Sequence, residues 1–171
     1  MTVELTREGH IAFLTLARPQ ARNAVNGDVA QAMEAALDEY EADDDLWVAV
    51  LTAQGSVFCA GADLKEIAAG NARALNTKRG GFGGLVQRER TKPLIAAING
   101  AAVAGGLELV LSCDMAIASE AAVFGLPEVK RSLVAAAGGL FRLPRAIGRS
   151  MAMELILTGD TIDANRACEL G

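Results

Sequence analysis

With 171 residues, 51% of them hydrophobic and 22% charged, and a mean hydropathy of +0.27, the chain can bury a real core as one globular domain spanning 1–171, and extended disorder is excluded. A net charge of -5 and the lack of any basic stripe with interleaved aromatics argue against nucleic acid as a partner, because neutralising phosphates needs clustered Lys and Arg. Three cysteines, Cys59, Cys113 and Cys168, are too few and too far apart for a disulfide framework, and no Cys/His set has metal-ligand spacing, so no metal site is expected and a reducing cytoplasm fits best.

Ile11 to Ala17 is a short apolar run stopped by Arg18-Pro19 and predicts a strand. Val29, Met33, Ala36, Leu37 and Tyr40 then recur at three- and four-residue steps, with Asp38, Glu39 and Glu41 on the other face, and predict a helix. Trp47 to Thr52 is a second strand. This β, α, β order favours a crossover between parallel neighbours in a helix-covered sheet. Small residues from Val57 to Ala62 lead into a helix near Leu64. Residues 70 to 90 are polar and carry Gly80, Gly81, Gly83 and Gly84, which predicts a mobile loop and a pocket wall that moves.

Leu94 to Ile98 predicts a third strand, Gly105-Gly106 opens a helix, and Met115 to Ala118 predicts a fourth strand. Phe124 to Glu128 reads as a loop, followed by helices from Gly138-Gly139 to Gly148, from Ser150 to Leu157, and from Asp163 onward. Residues 94 to 113 approach the length of a membrane span, but Asn99, Gly100, Gly105, Gly106 and Glu108 interrupt them, so no membrane association is expected. Glu4, Arg7 and Glu8 likewise break any signal-peptide pattern at the N-terminus.

Glu108 is the only charged side chain between Lys92 and Asp114, in an otherwise apolar, glycine-rich stretch. A buried carboxylate costs several kcal/mol unless something uses or neutralises it, roughly the penalty of any unpaired buried charge. It lies one helical turn beyond Gly105, on the same face as that residue's N–H. Ala60-Gly61-Ala62 is a second turn with approachable amides. If the two turns meet, they form an oxyanion hole; the alternative is that both are merely tight turns. Glu128 follows Pro127, and two carboxyls beside such a hole can divide acid and base work if their environments separate their pKa values. The plain alternative pairs Glu108 with an arginine and leaves Glu128 in solvent.

Other chemistries fit poorly. His10 is the only histidine and no G-x-S-x-G elbow is present, which leaves no serine triad. Neither a G-x-x-x-x-G-K-[ST] loop nor a G-x-G-x-x-G fingerprint occurs, and Cys59 reads as a small packed thiol.

Phe58-Cys-Ala-Gly-Ala-Asp-Leu-Lys-Glu66, Lys92-Pro-Leu-Ile-Ala-Ala-Ile-Asn-Gly100, Gly105-Gly-Leu-Glu-Leu109, Cys113-Asp114 and Phe124-Gly-Leu-Pro-Glu128 together resemble the signature of the enoyl-CoA hydratase/isomerase (crotonase) superfamily. The resemblance runs in order from Arg18-Pro19 to Gly171. It implies an α/β fold, a spiral of ββα units lacking the C-terminal helical region with which family members close the acyl-CoA pocket and assemble as trimers or dimers of trimers. It implies an acyl-CoA thioester substrate, no separate cofactor, and an oxyanion hole from the N–H groups of Ala62 and Gly105. Glu108 matches the carboxylate that activates water and Glu128 the one that delivers a proton to the α-carbon. Ala21, Arg22, Ala60, Gly61, Asp63, Leu64 and Gly106 match positions that bind substrate or its CoA moiety. Both carboxylates together are the hydratase pattern; an isomerase or a non-catalytic acyl-CoA-binding member is the alternative. The segment Ser132-Leu-Val-Ala-Ala-Ala137 departs from the family's glycine- and proline-containing turn, and Ala136 stands where a glycine amide commonly holds the water. The resemblance also implies an exposed apolar face where the family's further helices pack.

Overall fold

The computed structural model describes residues Met1–Gly171 and is built from strand pairs that alternate with helices. β1 (Val3–Glu8) and β2 (Ile11–Leu16) form an antiparallel hairpin before α1 (Gly27–Ala42). β3 (Val48–Ala53) and β4 (Val57–Cys59) precede α2 (Leu64–Ala68). A short hairpin, β5 (Asn76–Thr77) and β6 (Gly81–Phe82), is inserted next. β7 (Leu94–Ile98) and β8 (Ala101–Val103) precede α3 (Gly105–Val110), and β9 (Met115–Ala118) and β10 (Val123–Gly125) precede α4 (Gly139–Ile147). The chain finishes with α5 (Arg149–Thr158), β11 (Thr161–Asp163) and α6 (Ala164–Leu170).

Both strands of the first hairpin lie in one sheet, ordered β1-β2-β3-β7-β9; the next ββα units, β3-β4-α2, β7-β8-α3 and β9-β10-α4, place their first strand in that sheet and their second in another, ordered β11-β10-β8-β4. β2, β3, β7 and β9 are parallel neighbours, as the β, α, β pattern predicts. Alternate residues Ala12, Leu14, Leu16, Ala49, Leu51, Leu94, Ala96 and Ile98 are buried. They join Val29, Met33, Leu37 and Tyr40 of α1 in one apolar cluster of 33 buried residues. The α1 N-terminus is set by Asn26, whose side chain accepts from the Val29 N–H at 3.0 Å. Tyr40 satisfies its buried hydroxyl by donating to the Pro93 carbonyl at 2.7 Å.

Three corrections to the sequence reading matter for the site. Phe124–Gly125 belongs to a strand of the second sheet, not to a loop, and Val57–Cys59, read only as small residues leading into a helix, is a strand of the same sheet. Glu128 sits in a 3₁₀ turn, Pro127–Arg131. Residues 80 to 86 are buried throughout rather than a mobile loop. A Cβ built at Gly84 would lie 2.2 Å from the Ala30 carbonyl oxygen, one at Gly80 would lie 2.0 Å from the Gly84 carbonyl oxygen, and one at Gly83 would lie 2.9 Å from Leu109. Other backbone passes where a side chain would stand at Gly80 and Gly84, the Leu109 side chain does so at Gly83, and Gly83 and Gly84 also take left-handed φ values of 62° and 70°, so these glycines meet packing and turn requirements and are not a source of mobility.

At the far edge of the first sheet all four β9 residues are exposed, with Met115 at 59% and Ile117 at 63%.

Asn23 pins the segment that leads to the site. It is 1% exposed, takes φ 53°, accepts from the Arg18 N–H at 2.8 Å, and donates to the Gln54 and Val57 carbonyls at 2.8 and 2.7 Å. Asn23→Ala leaves three backbone groups without partners and places a poorer residue in the left-handed region. The expected loss is roughly 2–4 kcal/mol in urea unfolding at an unchanged m-value.

Candidate active site

A cavity of about 600 Å³ opens between the β4–α2 turn, the start of α3, the buried segment ending at Val86, and the 3₁₀ turn with the loop after it. Its wall includes Arg22, Ala60, Ala62, Asp63, Leu64, Lys65, Phe82, Gly105, Glu108, Glu128 and Ala136. Eight of the eleven predicted site residues therefore line one space. The other three, Ala21, Gly61 and Gly106, stand behind the wall, and two of them are there for steric reasons. A Cβ at Gly61 would lie 2.9 Å from both the Gly105 nitrogen and the Ala104 Cβ, and one at Gly106 would lie 2.1 Å from the Cys59 carbonyl oxygen. The two turns are thus in backbone contact, as an oxyanion hole requires.

Ala104 creates the bend before α3, with φ 53° and ψ -131°, a conformation an L-residue holds only against a steric cost. Its N–H donates to the Gly125 carbonyl at 2.9 Å and its carbonyl accepts from the Glu108 N–H at 3.1 Å. The bend is therefore held from both sides, and it leaves the Gly105 N–H at the head of the helix. Neither the Ala62 nor the Gly105 N–H is used in the turn and loop hydrogen bonds that fasten this region.

The opposite turn is fastened by Asp63. Its Oδ1 accepts from the Lys65 N–H at 3.2 Å, and its Oδ2 pairs with Arg18 at 3.1 Å in a mostly buried ion pair. Arg18 also donates to the Ala24 carbonyl at 2.5 Å. Asp63 borders the cavity but its oxygens hold the Ala60–Ala62 turn in place.

Glu108 is 3% exposed, and its Oε1 accepts from the Gly139 N–H at 2.8 Å. Burial pushes its carboxyl above the ordinary carboxylate range, opposed by the Gly139 and Ala137 backbone N–H groups and by the Arg142 charge. Glu128 has only its own backbone N–H opposing such a rise. Its Oε2 is buried without a hydrogen-bond partner, and burial, with a further contribution from the Glu108 carboxylate, pushes the group up to about 7. One carboxyl is held by amides and a cation, and the other is left to carry a proton near neutrality. Environments of this kind separate an acid from a base.

Ala136 borders the cavity with its φ outside the left-handed region, so alanine is tolerated there without strain. Two contributors were not legible in the sequence. Arg142, in the helix opened by Gly138-Gly139, donates to the Ala137 and Val86 carbonyls at 3.3 and 2.5 Å. Phe82, in the segment expected to move, presses its ring against Gly105, where an added Cβ would lie 2.6 Å from it.

The strand-paired spiral carries one cavity bordered by two carboxyls and two free turn amides, and comparison with known proteins gives the family. A family model described as enoyl-CoA hydratase/isomerase matches residues 6–171. The chain belongs to the enoyl-CoA hydratase/isomerase family. It is 42% identical over 159 residues to mevalonyl-coenzyme A hydratase sidH of Aspergillus fumigatus, covering 92% of this chain and 59% of that protein. It is 40% identical over 168 residues to 2,3-dehydroadipyl-CoA hydratase of Escherichia coli, covering 98% and 66%. Its fold superposes on the crystal structure of enoyl-CoA hydratase EchA1 from Mycobacterium marinum with a TM-score of 0.94 at 46% identity, covering 99% of this chain and 66% of that one. The chain thus spans about three fifths to two thirds of these relatives' lengths. No helix is long and apolar enough to cross a membrane.

Proposed function

We propose that the protein carrying this chain is an enoyl-CoA hydratase, adding water across the double bond of a 2-enoyl-CoA thioester. The observation that carries this reading is the pair of unlike carboxyls, Glu108 and Glu128, facing one cavity beside the Ala62 and Gly105 amides. The thioester carbonyl accepts from those two N–H groups. Glu108 takes a proton from water as its oxygen bonds to the β-carbon, electron density moves onto the carbonyl oxygen, and Glu128 delivers its proton to the α-carbon. The added water supplies both the hydroxyl and, through exchange of the two carboxyls, the replacement proton, so no redox partner or separate cofactor enters the balance.

Arg22, Lys65 and Arg131 border the same cavity and give its mouth a positive character suited to the phosphates of coenzyme A. The names of the relatives, which are hydratases of CoA thioesters, support the same substrate class. The reading extends to a homotrimer or dimer of trimers for the whole protein and to a cytoplasmic location, in keeping with three free cysteines.

The test is loss of the conjugated enoyl-thioester absorbance when crotonyl-CoA is mixed with this chain extended to the length of its relatives. Water addition slowed by roughly 10²-fold or more in Glu108→Gln and in Glu128→Gln separately supports the assignment. A shift of the double bond in a 3-enoyl-CoA without water addition would make the protein an isomerase instead.

The pH dependence follows from the same geometry. Glu128 must hold a proton and its pKa lies at about 7, so kcat/KM falls as pH rises through that value. Glu108 must be ionised and is raised by burial, so the rate also falls on the acid side. A bell-shaped profile for the coupled pair is expected, with the alkaline limb lost in Glu128→Gln. A flat profile across roughly pH 6 to 9, which brackets the Glu128 pKa of about 7, would contradict the acid role.

A further inference from the structure

Arg142 occupies an unusual place. It lies in the first turn of α4, where a cation opposes the unpaired N–H groups of a helix start, and its side chain is half-buried. It folds back over that start into the space of an absent side chain: a Cβ at Gly138, which has φ 112°, would lie 2.0 Å from Arg142 Nη1. From there Nη1 donates to the Ala137 carbonyl and Nη2 to the Val86 carbonyl, two residues on different walls of the cavity. The Phe141 ring lies 4.9 Å from its guanidinium carbon. The backbone it fastens, Ala137 to Gly139, is the backbone whose N–H groups face the Glu108 carboxylate.

We propose that Arg142 is the positioning residue of the base: it clamps the Ala137 and Val86 carbonyls so that the Ala137 and Gly139 amides stay on Glu108, and it supplies the positive charge that faces this carboxylate. A helix start is an unfavourable position for a buried cation, and Glu108 is the compensating charge. The charged groups acting here are few. Glu128 approaches Glu108 from the 3₁₀ turn, and Arg145 and Arg90 act on Arg142 from α4 and from the segment before β7. Each of these disfavours the charge it faces; the Gly139 and Ala137 amides do most to favour the Glu108 carboxylate, and the Arg142 charge adds to them.

The inference rests on the hydratase reading for its consequence but is measured without turnover. In protein extended to the length of its relatives, the Glu108 carboxyl carbon is followed by 13C NMR against pH and assigned by its disappearance in Glu108→Gln. Arg142→Gln is expected to raise the apparent pKa of Glu108 by about one unit, the low end of the effect of a nearby opposite charge. The acid limb of the kcat profile should move by the same amount while KM stays near the wild-type value. Arg142→Lys, which keeps the charge, should return both toward wild type.

An unchanged Glu108 titration in folded Arg142→Gln would reduce Arg142 to a structural clamp and overturn the proposal. If Arg142→Gln does not fold, the coupling is read from the other side. The Arg142 guanidinium 15N signals of wild type should shift as Glu108 titrates and stay flat in Glu108→Gln; signals indifferent to Glu108 in wild type would also overturn it. Absence of hydratase activity alongside a coupled titration would count against the functional reading alone.

Discussion

Glu128→Gln lowers kcat for crotonyl-CoA hydration by roughly 10²–10⁴-fold, the usual contribution of a positioned general acid, and leaves KM close to wild type. Glutamine matches the size of the side chain but has no proton to give to the α-carbon. It also removes the group whose Oε2 is buried without a partner and whose proton is retained up to about 7. The substitution therefore takes away an interaction made only in the transition state and should not weaken the fold. Steady-state kinetics with crotonyl-CoA and a thermal melt on the same sample check both halves. An unchanged kcat would remove Glu128 from the mechanism.

Gly106→Ala should be the most damaging single methyl group near the site. The added carbon would stand 2.1 Å from the Cys59 carbonyl oxygen and 2.8 Å from its carbon, so β4 and α3 would have to separate. Neither contact is the end of a flexible side chain, and the strain cannot be relieved by a rotamer change. A loss of about 3 kcal/mol is expected, the upper part of the range for overpacking. For a chain of this size that lowers Tm by roughly 6–12 °C. The same displacement reaches catalysis, because Cys59 leads into the Ala60–Ala62 turn and Gly106 follows Gly105. A small misplacement of these amides can cost about 10²-fold in kcat. A variant that keeps wild-type Tm and kcat would show that the two backbones do not touch as described.

Much of this architecture was legible in the residues. The β2, α1, β3 unit was readable because its periods are long enough to register: Val29, Met33, Leu37 and Tyr40 repeat over three turns, and all are buried in α1. Glu108 was readable for a different reason, being a single charge in an apolar stretch, and it is indeed 3% exposed. The plain alternative raised for it, pairing with an arginine, is not what the structure shows: its hydrogen-bond partner is the Gly139 N–H, and the Arg142 charge acts on it without an ion pair. The short strands were not readable. β4, β8 and β10 have three residues each, too few for alternation to show, and Ala101-Ala102-Val103 has no polar partner positions. β1 was missed because Glu4, Arg7 and Glu8 lie on an exposed hairpin and mask its pattern.

By itself the sequence determined the parallel crossover, the two glycine turns, the lone buried carboxylate and the family, because each depends on residues close together in the chain or on motifs in fixed order. Tertiary structure alone decided that Gly80 to Gly84 are packing sites, that Asp63 is spent on Arg18, and that Arg142 faces Glu108. Glycine has the same local preference whether it frees a loop or makes room for a neighbouring strand, and a charged side chain has the same helix pattern whether it meets water or a carboxylate. What separates these cases is the atom brought alongside by a distant part of the chain, and local residue patterns carry no record of it.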